Sequence, residues 1–490
     1  MKKKKKLIII GLDGVGPGLI QNLINKDRIP NIKKIINNGT FKSLKSTIPP
    51  VTIPAWPCMV SGKDPAEIGL FDIYSRKNYI SQPNRNLKFE PFWSKIPNKC
   101  GIITVPGTYP AKKINGFLLT GMFTPSIKDK NFIYPDRIKE SIREELRKFK
   151  ISINWNNEQD LIKQLINLTK TRFKISLKLW NKEKPDVLMV VENGTDWIQH
   201  FLYKYYDITN PHYINNPELK SKFYSYFQVI DQEIGRLLKE IKDCDFLIVS
   251  DHGAQSLKGN FCLNEWLRRN KYLVFKKIKG GLIVNLLKRP KLDFNKINYL
   301  LKKFKIKKII WRIFRGTGLS KKIPSSKGIK WSYAVNKKLI DWSRTKAFCL
   351  GNGIYINSEN LENGCVKEEE SIQIKKELIS KLISEKFDEF EQCVKPKEEV
   401  YAGKYLDSAP DILFYDKNWE YWPINDINTK RIVLPVEKNT YRNGTHSENG
   451  IWISSFKYDK EKIKLQEVHN FIIKKYGVKT QKNIIEKIRI

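Results

Sequence analysis

Short apolar runs that stop abruptly at glycine or acidic residues punctuate the chain, and each predicts a buried strand. The first, 7–12, runs straight into Asp13. Others cover 102–105, 186–191, 246–249, 353–357 and 451–453. Between them the spacing becomes helical. Ile29-Pro30-Asn31 opens a helix that Gly39 closes, and 135–149, 157–180 and 366–390 predict further helices. In 217–241, Phe223, Phe227, Ile230, Ile234, Leu237, Leu238 and Ile241 recur at helical spacing. Strands alternating with helices in this way predict an α/β chain. Gly14, Gly16 and Gly18 read as a loop after the first strand. Their spacing, broken by Pro17, does not make a dinucleotide fingerprint.

Two stretches break the pattern. Residues 268–330 carry 21 Lys or Arg against one acidic residue, Asp293, with apolar positions interleaved. This reads as a basic amphipathic insert that either lies on an anionic surface or caps the core. Residues 456–490 read as a basic, helical tail. The whole chain of 490 residues has a formal net charge of +39, which implies attraction to anions: phosphate esters, anionic lipid or nucleic acid. Seven scattered cysteines without a CxxC pair predict reduced thiols and a cytoplasmic protein. Lys2 to Lys6 resemble the start of a signal peptide, but the following apolar run is too short and meets Asp13. No stretch approaches the ~20 apolar residues of a spanning helix.

The candidate chemistry lies where strands end. Asp13 follows the first, and open α/β sheets bind ligands at that edge. Asp196 and His200 are four apart, on one face of a helix in metal-ligand spacing. Asp251 and His252 end the 246–249 strand, and Gly253 would permit a sharp turn there. His446 precedes the 451–453 strand. His212 and His469 have no such company and read as structural or surface residues. Thr52 stands before Pro54 at the predicted start of a helix that Gly62 ends, where free N–H groups favour an anion. A lone Thr-x-Pro is ordinarily an N-cap. Three carboxylates, three imidazoles and one hydroxyl suit two zinc-like ions, which activate a hydroxyl nucleophile for in-line displacement.

Seven motifs in order carry a resemblance. They are Ile-Gly-Leu-Asp-Gly at 10–14, Pro-Pro-Val-Thr-Ile-Pro-Ala-Trp at 49–56, Gly-Thr-Asp-Trp-Ile-Gln-His at 194–200 and Ser-Asp-His-Gly at 250–253. Leu-Asn-Glu-Trp-Leu at 263–267, Asp-Trp-Ser-Arg-Thr-Lys-Ala at 341–347 and Gly-Thr-His at 444–446 complete them. With these motifs the chain resembles the alkaline phosphatase superfamily, in its type I phosphodiesterase/nucleotide pyrophosphatase branch, near the microbial predicted phosphohydrolase/phosphomutase group. The resemblance implies a central, mostly parallel sheet flanked by helices, with inserted cap segments. It implies one metal on Asp196, His200 and His446, and another on Asp13, Asp251, His252 and the Thr52 oxygen. Thr52 would be the nucleophile, giving a phosphothreonine intermediate that water hydrolyses. Zinc suits this His/Asp mixture, and manganese also fits.

The chain departs from better-known relatives in three places, one of them the usual Asp-(Ile)-Ala-Pro-Thr segment after the last His ligand, which is not recognisable here. No Asn lies between Thr52 and Gly62, and Ile68 replaces a His. A sulfatase would need Cys or Ser at position 52. The expected organisation is a core over 1–267 and 336–455, the basic insert at 268–335, and the tail at 456–490. Three functions stand: a phosphodiesterase, a monoesterase, phosphomutase or headgroup transferase with the same site, and a basic protein that binds anionic membrane or nucleic acid. The first two imply a phosphate-ester substrate. Membrane contact through 268–330 is compatible with either.

Overall fold

A computed structural model describes residues 5–73, 89–151, 153, 155–276, 340–361, 363–427, 429–436 and 442–476. Most of the basic insert, 277–330, and the tail beyond 476 lie outside the described residues, so the membrane-contact reading of the insert does too.

The strands are β1 (Lys6–Leu12), β2 (Thr40–Lys45), β3 (Cys100–Ile103), β4 (Gly116–Leu119), β5 (Ile133–Tyr134), β6 (Val187–Glu192), β7 (Cys244–Val249), β8 (Gly253–Ser256) and β9 (Gly259–Phe261). They continue with β10 (Ala347–Leu350), β11 (Gly353–Ile356), β12 (Gln392–Pro396), β13 (Ile412–Asp416), β14 (Tyr421–Pro423), β15 (Val433–Pro435), β16 (Gly444–Ser447), β17 (Asn449–Ser454) and β18 (Ile463–Lys464). Nine of them form one sheet in the order β18-β2-β17-β7-β1-β6-β3-β4-β5. β7, β1, β6, β3 and β4 run parallel, whereas β17 and β5 are antiparallel to their neighbours. The fold is thus α/β with a mostly parallel central sheet flanked by helices.

Alternation along β1 splits its side chains between two cores. Ile8, Ile10 and Leu12 pack with the helices Glu158–Glu183, Gly194–Tyr206 and Pro217–Glu240. Leu7 and Ile9 face the helix Thr52–Ser61, through Trp56, Met59 and Val60, and the helix Gln466–Tyr476, through Val468 and Ile472. A smaller antiparallel sheet, β10-β11-β13-β12, builds a third core with the helix Glu368–Ser384.

Several boundaries differ from the sequence reading. The helix expected over 135–149 is two short ones, Ile138–Ser141 and Arg143–Lys148, because Ile142 leaves the helical region at φ −125°, ψ 20°. The 366–390 helix ends at Ser384. Beyond it, Phe387 and Phe390 turn inward to stack on each other, 5.2 Å between centroids, beside Phe414. The loop expected across Gly14–Gly18 is shorter, since a helix starts at Pro17. No helix among the described residues is long and apolar enough to cross a membrane.

Candidate active site

Strand register builds the site. Leu12 pairs with Glu192 and Gly11 with Val249, so Asp13, Asn193 and Ser250-Asp251 leave three adjacent parallel strands at the same edge. Ligands bind at such a carboxyl edge. The helix Gly194–Tyr206 starts directly after β6 and presents Asp196 and His200 one turn apart. β16 then pairs antiparallel with β8, setting His446 opposite Ala254, two residues from His252.

The seven candidate residues come together in two groups. In one, Asp196 Oδ1 lies 3.2 Å from His200 Nε2 and 3.7 Å from His446 Nε2, and the two Nε2 atoms are 3.0 Å apart. In the other, His252 Nε2 lies 3.5 Å from Asp13 Oδ1 and 3.3 Å from Asp251 Oδ2. Within each trio the candidate ligand atoms all lie within 4.8 Å of one another. The groups abut, with His252 and His446 ring centroids 4.3 Å apart. Thr52 is buried, and its Oγ1 donates to Asp13 Oδ1 at 3.4 Å.

Thr52 is not the cap of its helix. Val51 occupies that position, and Ile53 is extended at φ −116°, ψ 114°, so the regular turns begin one step later than Pro54 suggested. Gly62, at φ +70°, ends the helix as expected. Gly253 has a different role from the sharp turn expected of it. It opens β8, and a Cβ there would stand 2.4 Å from both Asn449 O and Ser447 Oγ. Close backbone approach, not a left-handed turn, requires glycine here.

The electrostatics of these groups call for cations. Burial, then the charges of Asp251 and Asp196, push the Asp13 carboxyl well above the usual range, although His252 and Asn193 oppose this. Burial and the Asp196 charge push Asp251 up to about 8. Burial acts the same way on Asp196, but the His200 charge and hydrogen bond overcome it and hold that carboxyl low. Burial and the neighbouring His252, His200 and Arg442 charges hold His446 well below the usual imidazole range, keeping it neutral. Asp251 Oδ2 and His252 Nε2 are buried and make no hydrogen bond despite their close neighbours. Buried polar atoms that converge without bonding one another are what metal ligands look like without the ion. Carboxylate and imidazole donors grouped in this way fit divalent metal ions.

Other residues, to which the sequence reading gave no role, hold this geometry. Asp13 Oδ2 accepts from Asn193 Nδ2 at 2.8 Å and Trp56 Nε1 at 3.2 Å, which turns Oδ1 towards Thr52 and His252. Trp56 lies four residues beyond Thr52, a spacing that could have flagged it. Thr195 Oγ1 donates to Asp13 O at 2.6 Å and Gln199 Nε2 to Gly14 O at 2.8 Å, tying the helix to the loop after β1. His200 Nδ1 meets Gly444 O at 3.0 Å, which leaves Nε2 facing Asp196 and His446. His212 bonds the backbone of Val436, and His469 packs against Gly62, both away from the site.

Residues 7–310 match the sequence pattern of the type I phosphodiesterase / nucleotide pyrophosphatase family. The chain belongs to that family. As a member of this metal-dependent family it is a phosphoric ester hydrolase. A comparison with curated protein sequences returned no match. Among solved structures, phosphonoacetate hydrolase from Sinorhizobium meliloti 1021, in complexes with phosphonoformate and with phosphonoacetate, shares the fold at 11% identity and a TM-score of 0.58. The match covers 97% of this chain and 96% of that one. Murine ectonucleotide pyrophosphatase / phosphodiesterase 5 aligns at 11% identity over 96% of this chain and 95% of its own, with a TM-score of 0.49.

Proposed function

We propose that the chain hydrolyses a phosphodiester with Thr52 as nucleophile. The observation that carries this reading is the buried Thr52 hydroxyl, 3.4 Å from Asp13 Oδ1 and so at the edge of one of two carboxylate–imidazole trios. Asp196, His200 and His446 would hold one divalent cation, and Asp13, Asp251, His252 and the Thr52 oxygen the other. When bound, such ions lower the pKa of the hydroxyl and offset charge on the phosphoryl oxygens. Zinc suits the donors, with manganese the alternative.

The chain's own groups do the rest. Asp13 Oδ1 accepts the Thr52 hydroxyl hydrogen bond, and Trp56 and Asn193 hold that carboxylate in place. Thr52 Oγ attacks phosphorus, the bond to the leaving alcohol breaks, and the alcohol oxygen takes up a proton. Water then attacks the phosphothreonine, the Thr52 O–P bond breaks, and the phosphoryl product leaves. The same site would serve a monoester or a phosphoryl transfer. Residues 1–267 and 336–455 form the catalytic core in this reading, completed by β18 and the helix Gln466–Tyr476, with 268–335 a cap.

The test compares bis-p-nitrophenyl phosphate with p-nitrophenyl phosphate, with zinc or manganese added, for wild type and Thr52→Ala. Diester turnover that disappears in Thr52→Ala, with metal content unchanged, is expected. Undiminished turnover in Thr52→Ala would refute the nucleophile. A marked monoester preference would move the substrate class to the second reading.

A further inference from the structure

The three imidazoles of the candidate site are not held alike. His200 Nδ1 meets Gly444 O and His252 Nδ1 meets Gly253 O, each at 3.0 Å. A metal-binding histidine ordinarily has its second ring nitrogen fixed in this way, because that bond sets the tautomer and the plane of the ring. His446 Nδ1 is buried and has no hydrogen-bond partner among the described residues. His446 Nε2 lies 3.0 Å from His200 Nε2 and 3.7 Å from Asp196 Oδ1. The ring therefore has polar neighbours within its trio and no carbonyl behind it.

What meets it from outside is Trp422. The two ring planes stand at 83°, with centroids 5.1 Å apart. Aromatic rings favour such an edge-to-face contact, and an N–H set against a ring face gains a weak bond there. Trp422 is itself well anchored. It lies on β14, opposite Asn260 of β9. Asp416 Oδ2 ties the turn before β14, accepting from Glu420 N at 2.6 Å and Tyr421 N at 3.1 Å. Trp419 backs the indole, with centroids 6.2 Å apart. Trp419 is buried, stacks on Tyr415 at 4.5 Å and donates Nε1 to Glu448 Oε1 at 3.0 Å. Glu448 stands two residues beyond His446, so the indole and the imidazole are referred to one stretch of backbone.

We propose that Trp422 is a positioning residue for His446. Its ring takes the place of the carbonyls that serve His200 and His252, and keeps the imidazole turned towards Asp196 and His200. This rests on His446 being a metal ligand, but not on Thr52 being the nucleophile or on the substrate class. The test is calorimetric titration of the metal-free full chain with zinc, with the urea midpoint of each protein measured alongside. The proteins are wild type, Trp422→Leu, Trp422→Phe, His446→Gln, and Trp422→Leu combined with His446→Gln. Trp422→Leu is expected to weaken zinc binding about tenfold, in the same step that His446→Gln weakens. Trp422→Phe keeps a ring face and should recover most of the loss. In the double variant, Trp422→Leu should add nothing to the effect of His446→Gln. Wild-type zinc affinity in Trp422→Leu, beside a loss in His446→Gln, would overturn the role of Trp422. So would equal losses in Trp422→Leu and Trp422→Phe, or an additive loss in the double variant, either of which would mark the indole as structural packing. Zinc affinity untouched by His446→Gln would refute the ligand assignment beneath the proposal, a failure separate from that of Trp422.

Discussion

The ion pair between Arg172 and Glu192 offers a direct test of how the site is held. Glu192 ends β6, immediately before the helix that carries Asp196 and His200. Its side chain is 1% exposed and that of Arg172 4%, so neither charge is solvated. One carboxylate oxygen takes Arg172 Nη1; the other accepts from Gly194 N at 2.9 Å and the Tyr226 hydroxyl at 3.2 Å. Removing one partner of such a pair strands the other, at a cost of about 3–5 kcal/mol. Arg172→Met should lower the urea midpoint, followed by tryptophan fluorescence, by that equivalent. Arg172→Met with Glu192→Met removes both charges. It then loses mainly the acceptor for the buried Gly194 N–H, worth about 1–3 kcal/mol. The double variant should be more stable than the two single losses sum to, with a coupling of about 3 kcal/mol or more. Because Gly194 opens the helix, Arg172→Met should also weaken metal binding at the Asp196 trio more than at the Asp13 trio. A loss under about 1 kcal/mol for Arg172→Met, or a double variant with no coupling, would refute the reasoning.

Trp56→Phe keeps a ring in the slot over Gly11, where a Cβ would stand 2.4 Å from the indole, but removes the N–H that holds Asp13. Metal affinity at the Asp13 trio should fall about 10- to 100-fold by calorimetry. Asp251 stands at about 8 in the metal-free protein, so at pH 7 it is mostly protonated, and metal binding at the proposed site would displace that proton. Titrations at pH 7 in buffers of different ionisation enthalpy should show proton release, which shrinks as pH rises past 8 while affinity climbs; no release would contradict the burial argument. Glu183 is held down to about 2 by the Arg137 hydrogen bond, then by Lys99, against the effect of burial. Its stabilisation is complete above the ordinary carboxyl range and is lost as pH falls from about 4.5 to about 2. Arg137→Met should therefore shift acid unfolding to higher pH, as followed by circular dichroism.

Much of the sheet was readable because its central strands are buried on both faces, so their sequences are unbroken apolar runs. Leu7 to Leu12, Val187 to Val191 and Phe246 to Val249 need no partner to be recognised. The acidic residue closing each run marked the carboxyl edge for the same reason, since no apolar environment accepts it unaccompanied. Helix ends were less legible where tertiary contacts outweigh local preference. Ser384 ends its helix so that Phe387 and Phe390 can join a ring cluster around Phe414. Ile53 leaves the helical region although Pro54 follows in a position suited to a first turn.

The supporting groups around the candidate site were hidden for a different reason. Asn193 and Trp56 act on Asp13 from 180 and 43 residues away, and no periodicity encodes that meeting. His446 reaches its trio only because β16 pairs with β8 in the register that sets it against Ala254. The two trios therefore differ in how they are built. Asp13, Asp251 and His252 sit at the ends of adjacent parallel strands, whose register alone brings them together. The Asp196 trio also needs the β8–β16 pairing and the pinning of Asn443 to His200, contacts that span about two hundred residues of chain. The β8–β16 pairing is a two-stranded sheet outside the nine-stranded one, so it can open locally while the central sheet stays paired. A perturbation of β16 should thus empty the Asp196 trio while the Asp13 trio keeps its geometry. In this architecture one half of the centre belongs to the sheet and the other half to the contacts that close over it.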